Sequence, residues 1–186
     1  ILRFIYLPSE NLIAMTIQDL TSEEYHPFYK TYINMIPDSL NLIDGFEVGF
    51  KNTEAFFKSV PKEKLEYKYA DDKWTIKEVF QHIIDTERIF MYRCLRIARH
   101  DKTALAGFEQ NDFILPSKAN SKTIETLLEE YRTTRQFSIA LLKSLSVEDL
   151  KYIGKASGNI MSARSAAFST IGHEIWHMNI IKERYL

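Results

Sequence analysis

The amino-acid sequence predicts an all-α protein built as a four-helix bundle. Three observations carry this expectation. Four long stretches repeat apolar residues at spacings of three and four, segments of alternating β-branched residues are almost absent, and the 6 glycines and 5 prolines mostly punctuate the ends of those stretches. No internal repeat or low-complexity tract interrupts the pattern. A chain of 186 residues is long enough for one domain to bury roughly two-thirds of the surface that its unfolded form exposes.

Along the chain, residues 1–36 read as an N-terminal extension and residues 37–186 as the bundle. Met15-Thr16-Ile17 looks like an ordinary start, so residues 1–14 are expected to be an upstream extension with no role in the fold. Pro37-Asp38-Ser39 sets an N-terminal capping signal for the first helix, whose stripe of Leu40, Ile43, Phe46, Phe50, Phe57 and Val60 ends near Pro61. Trp74-Thr75 opens the second, with Ile76, Val79, Phe80, Ile83, Ile84, Phe90 and Met91 continuing to about Arg99. From Asp101 to Ser121 the pattern is lost, which predicts a long crossover loop of the kind that borders a site. The third helix runs from about Lys122 to Leu145, and Ser146-Val147-Glu148-Asp149 resembles a capping box for one short turn. A polar link, Gly154 to Asn159, precedes the fourth helix, Ala163 to Arg184, whose last turn carries Lys182 and Arg184 where the macrodipole favours cations.

Composition narrows the function. With 24 Lys and Arg against 25 Asp and Glu, the formal net charge of -1 offers no broad basic surface for a phosphate backbone, so nucleic acid is not expected as a partner. The apolar opening Ile1 to Leu7 is broken at Pro8, well short of the ~20 residues of a membrane span. The single cysteine, Cys94, permits no intramolecular disulfide and agrees with a reducing cytoplasm; inside a helix it reads as a small buried apolar residue rather than a catalytic thiol. The aromatic run Phe46, Phe50, Phe56 and Phe57 exceeds what one narrow stripe needs and points to a homodimer through an exposed helix face.

The histidines carry the chemistry. His173 and His177 are four apart, so both imidazoles lie on one helix face and can reach one point, as a metal requires, although a bundle can also satisfy such a pair with hydrogen bonds. His82 lies in the apolar-patterned part of the second helix, between Gln81 and Ile83-Ile84, where an imidazole needs a hydrogen bond or a metal. One histidine from one helix and a pair from another would give three neutral nitrogen ligands and an open fourth position. His100 and His26 read as surface or capping residues. His173-Glu174-Ile175-Trp176-His177 also matches the HExxH pattern of zinc proteases, but only nine residues follow His177 and none supplies that pattern's third ligand, so the context does not support it. Glu78, Asp85, Glu174 and Asp112 are candidate acceptors for ligand N–H groups. Arg93, eleven residues after His82 and near its face, reads as an ion-pair partner for a neighbouring helix, with an anionic substrate group as the alternative.

Beyond this residue-level reading there is a resemblance. Trp74-Thr75-Ile76-Lys77-Glu78-Val79-Phe80-Gln81-His82, with Asp85-Thr86-Glu87-Arg88 after it, resembles the WxxxExxxH signature of the DinB-like superfamily, and Gly172 to Leu186 resembles its final helix. Asp101-Lys102-Thr103 and Gly107 to Phe113 are similar to that family's crossover loop. The likeness runs from about Asn41 to the end. It implies a bundle of up-down-down-up connectivity and a divalent transition metal, Zn or Ni ahead of Fe or Mn, on His82, His173 and His177. It also implies, from relatives that use low-molecular-weight thiols such as bacillithiol or mycothiol, a metal-dependent S-transferase acting on a small-molecule substrate. Trp74 and Glu78 match the signature too, but read sooner as a residue packing the bundle end and as a cap or ion-pair partner. The rival expectations are a metal-dependent hydrolase and a metal-binding stress or interaction protein without turnover.

Overall fold

Polar side chains start every long helix. In a computed structural model, which describes residues 14–186, a short helix α1 (Lys30–Ile33) precedes α2 (Leu42–Ser59), where Asn41 accepts from the Asp44 N–H at 2.8 Å. The second long helix, α3 (Ile76–Ala98), opens on a reciprocal capping box. Thr75 Oγ1 accepts from the Glu78 N–H, and Glu78 Oε2 accepts from the Thr75 N–H at 2.7 Å. Thr123 caps α5 (Ile124–Lys143), Ser146 caps the single turn α6 (Val147–Lys151), and Ser162 caps α7 (Ala163–Arg184). Each such cap is worth about 1 kcal/mol.

The four long helices form a four-helix bundle. Its main packing pairs are α3 on α7, α2 on α5 and α3 on α5. The cap of α2 is Asn41 rather than the expected Pro37-Asp38-Ser39, and two stretches between the helices also differ from the sequence expectation. The crossover contains a helix, α4 (Gln110–Ser117), which buries no residue and so carries no apolar stripe for a sequence to display. The polar link after α6 is an antiparallel hairpin, β1 (Ile153–Ala156) on β2 (Asn159–Ser162), closed by Ser157 and Gly158, both at positive φ. Two residues at positive φ are what a tight hairpin turn of matching twist requires.

Residues 15–36, expected as an extension outside the bundle, lie against it. Met15, Tyr29, Ile33 and Ile36 join the apolar core, and Glu24 forms a buried ion pair with Arg164 at 2.6 Å. Helix α1 rests on α7 at Gly172, where an added Cβ would stand 2.1 Å from the Tyr32 carbonyl oxygen. The expectation for residues 1–14 falls, apart from Ala14, outside the described residues. Phe46 and Phe57 are wholly buried and Phe50 and Phe56 partly so, which spends much of the aromatic excess inside the molecule and leaves it a weaker pointer to a homodimer. Among the described residues no helix is long and apolar enough to cross a membrane.

The core is divided. One apolar cluster holds Phe46, Phe90, Met91, Leu142 and Phe168, and a second holds Phe57, Phe80, Ile84, Tyr131 and Ile181. Between them, all four long helices contribute buried polar residues at one level: Thr53 from α2; His82, Thr86 and Glu87 from α3; Thr134, Arg135 and Ser138 from α5; His173, Glu174 and His177 from α7. Buried polar groups are costly unless paired, so this belt is where chemistry is to be sought.

Candidate metal centre

Helices α3 and α7 bring the three predicted histidines together. His82 and His177 each place Nε2 3.0 Å from His173 Nε2, and the candidate ligand atoms of all three lie within 4.8 Å of one another. All three rings are buried, at 4–7% exposure. Burial holds the His82 imidazole down to about 4, and burial, reinforced by the neighbouring imidazoles, holds His173 and His177 well below the ordinary histidine value. The rings are therefore neutral at pH 7, the form that binds a metal.

The spacing discriminates between a hydrogen-bonded trio and a cation site. A neutral imidazole nitrogen carries either one proton or one lone pair. His173 Nε2 can then satisfy only one of its two neighbours at 3.0 Å by hydrogen bonding, whatever the tautomers. A single cation satisfies all three lone pairs, and ligands at ~2.0–2.1 Å from one ion keep about this separation. The donor set fits a divalent transition metal with an open coordination position.

The surroundings orient the rings. His82 Nδ1 lies 3.4 Å from Thr86 Oγ1. Tyr32 of α1 stands edge-on to His173, with ring centroids 5.2 Å apart, and Trp74 lies 4.8 Å from His82. Trp74 thus touches the site it was expected only to flank, while Glu78 serves as the cap and accepts from Asn120 Nδ2 at 3.0 Å.

None of the four carboxylates proposed as acceptors for ligand N–H groups bonds a histidine ring: Glu78 caps α3, and Asp112 lies exposed on α4. Asp85 accepts from Gln81 and Arg88. Glu174 turns into the bundle, where Oε2 accepts from Tyr131 Oη at 2.7 Å and from Arg135 Nη2 at 2.5 Å. Arg135, wholly buried, also holds Glu87 through Nε and Nη2, and Gly49 leaves room for the cluster, since a Cβ there would stand 2.8 Å from Glu174 Oε1. Glu87 and Arg135 were missed in the sequence reading. The available signal was their position on apolar faces, Glu87 four residues after Ile83 and three before Phe90, Arg135 four after Tyr131. With Glu174 held in this ion cluster, the HExxH pattern lacks the glutamate that a protease would aim at its metal-bound water.

The family model of the DinB superfamily matches residues 46–181. The chain belongs to the DinB superfamily. Among solved structures it is similar to YfiT from Bacillus subtilis, with a TM-score of 0.68, 16% identity, and coverage of 87% of this chain and 93% of that one. YfiT is described as a probable metal-dependent hydrolase with an unusual four-helix bundle topology. No curated protein matches the chain. In this DinB protein a cavity of about 380 Å³ opens onto His82 and His173, walled by Phe28, Tyr29, Phe90 and Phe108. A second of about 440 Å³ reaches His177 beside Trp74 and Trp176. His26, as expected, caps a turn, with Nδ1 accepting from the Phe28 N–H, and His100 stacks on Tyr152 at the surface. Cys94 is wholly buried, and burial pushes its thiol up to about 12, which leaves it unreactive.

Proposed function

We propose that this protein is a metal-dependent enzyme in which His82, His173 and His177 hold one divalent transition metal that activates a small nucleophile, a low-molecular-weight thiol ahead of water. The observation that carries the reading is the pair of 3.0 Å Nε2 contacts at His173, which hydrogen bonding alone cannot satisfy. Such a cation lowers the pKa of a thiol or water at its open position, so the nucleophile forms near neutral pH. The chain's own part is to supply three neutral donors, to keep Tyr32 and Trp74 against the rings, and to open two cavities onto the buried rings. Glu174 is committed to Arg135 and Tyr131, which favours a nucleophile that needs no adjacent carboxylate base. A thiol meets that condition most simply, and the cytoplasm, where small thiols stay reduced, is the compartment this reading implies.

Hydrolysis is the second reading, supported by the description of YfiT. Elemental analysis of freshly purified protein tests the centre: about one divalent ion per chain is expected, and a His177→Ala variant should lose it. Assays with Zn²⁺, Ni²⁺, Mn²⁺ or Fe²⁺ restored then separate the reactions. Conjugation of a thiol to a chlorinated aromatic above the level of His82→Ala supports transfer, ester cleavage without thiol supports hydrolysis, and metal binding with neither leaves a non-catalytic metal protein.

A further inference from the structure

Three arginines are buried among the described residues, and two of them have carboxylates: Arg135 holds Glu87 and Glu174, and Arg164 holds Glu24. Arg93 is the third. At 2% exposure it makes no ion pair with any described residue, contrary to the expectation of a salt bridge to a neighbouring helix. Its protein hydrogen bonds both fall on Nη2, which donates to the Ala106 carbonyl at 3.1 Å and to Ser157 Oγ at 2.8 Å. A guanidinium has five N–H donors, so the Nε–H and the two N–H groups of Nη1 are left over. Those nitrogens are not sealed in protein, because the one enclosed side-chain polar atom without a partner among the described residues is Ser169 Oγ. Arg93 instead lines the cavity that opens onto His82 and His173.

A buried cation without a counter-ion is costly, and a guanidinium that keeps free N–H donors on Nε and Nη1 beside a cavity can hydrogen-bond an oxyanion there. Phe90 and Phe108 each place a ring 5.8 Å from the guanidinium carbon. The Phe90 ring is in turn 6.2 Å from that of His173, so one aromatic side chain spans the distance between the arginine and the histidine cluster. The carboxylate lining this cavity, Glu109, sits at its exposed rim, and its Oε1 accepts from the backbone and side-chain nitrogens of Asn111.

From this we infer that Arg93 is the specificity-determining residue of the site. It binds a carboxylate or phosphoryl group at the far end of an elongated small molecule whose reactive end lies at the three histidines. The inference rests on the metal-centre reading for the placing of the reactive end. The competing account is that Arg93 only ties the crossover loop and the hairpin turn to α3.

Probes of matched length separate the two accounts. The full chain loaded with Co²⁺ is titrated with mercaptooctanoate and with mercaptooctanol, following the thiolate-to-cobalt absorption band. The acid should bind about tenfold tighter than the alcohol, as a charge-assisted hydrogen bond to an anion provides. In Arg93→Met the two should bind alike. Equal affinities in the unaltered protein overturn the inference, and that comparison needs no variant to fold. An advantage for the acid that survives in Arg93→Met overturns it as well. If neither thiol gives a band, the metal reading fails on its own. Calorimetry on metal-free protein then still decides about Arg93: a tenfold preference for phenylbutyrate over phenylbutanol supports the oxyanion site, and equal binding refutes it.

Discussion

The three imidazoles face a conflict that sets how stability responds to acid. In the unfolded chain each titrates near 6.5, whereas burial holds His82 at about 4 and the other two well below their ordinary value. Between those limits the unfolded state binds more protons than the folded one, so stability is fully present above pH 6.5 and falls as the pH drops. His82 alone accounts for about 3 kcal/mol between pH 6.5 and 4. Urea midpoints of the metal-free protein should therefore decline from pH 6.5 to 5.5, a window above the ordinary range of carboxylates. A flat response there would mean that the rings are already protonated or exposed in the folded protein. At this scale the candidates were legible because histidine is conspicuous: a four-residue spacing and an apolar neighbourhood marked His82, His173 and His177, and the resemblance to the DinB-like superfamily joined them into one metal site. Arg93 was singled out too, but its partners are a carbonyl and a hydroxyl far along the chain, Ala106 and Ser157, which no local pattern announces.

Elements opened by a capping residue and long enough to repeat were readable, and the short α1 and α4 were not. The bounds of α7 coincide with the expected Ala163 to Arg184, and α3 falls within one or two residues of its expected limits; a cap opens each, α3 adds an amphipathic face, and α7 is buried on all sides from Ala163 to Glu174. Helix α4 has no buried residue, and α1 is one turn long, so neither leaves a periodic trace. The role of α1 shows instead in a residue of another element. Gly172 precedes His173, and its hydrogen faces the backbone of Tyr32. Replacing it with alanine would gain about 1 kcal/mol of helix propensity. The new methyl, however, would meet a carbonyl oxygen at 2.1 Å, and backbone gives way less readily than a side-chain tip. Overpacking of this kind costs about 1–3 kcal/mol, and here separation of α1 from α7 would also remove Tyr32 from the His173 ring. Gly172→Ala is expected to lower the urea midpoint by the equivalent of about 1 kcal/mol, the overpacking less the helix propensity gained. A variant more stable than the parent would show that the close approach has no energetic weight.

For the molecule as a whole, the belt of polar residues interrupts an otherwise continuous core, and its two halves are resolved differently. On the α5 side the charges pair internally, Arg135 with Glu87 and Glu174. On the α3–α7 side three neutral nitrogens face one another, and nothing among the described residues completes them. A ligand that binds only the folded chain stabilises it by mass action, by about 2.7 kcal/mol at one hundred times its dissociation constant. For a chain of this size each kcal/mol moves the melting temperature by about 2–4 °C. Titrating Zn²⁺ or Ni²⁺ into chelator-stripped protein should therefore raise Tm by about 5–10 °C at that excess, with the rise continuing logarithmically as more ion is added. The same titration of His177→Ala should leave Tm nearly fixed, which separates binding at the cluster from weak association with surface carboxylates. A comparable rise in both proteins would place the stabilising ion elsewhere and remove the three histidines from the account of the belt.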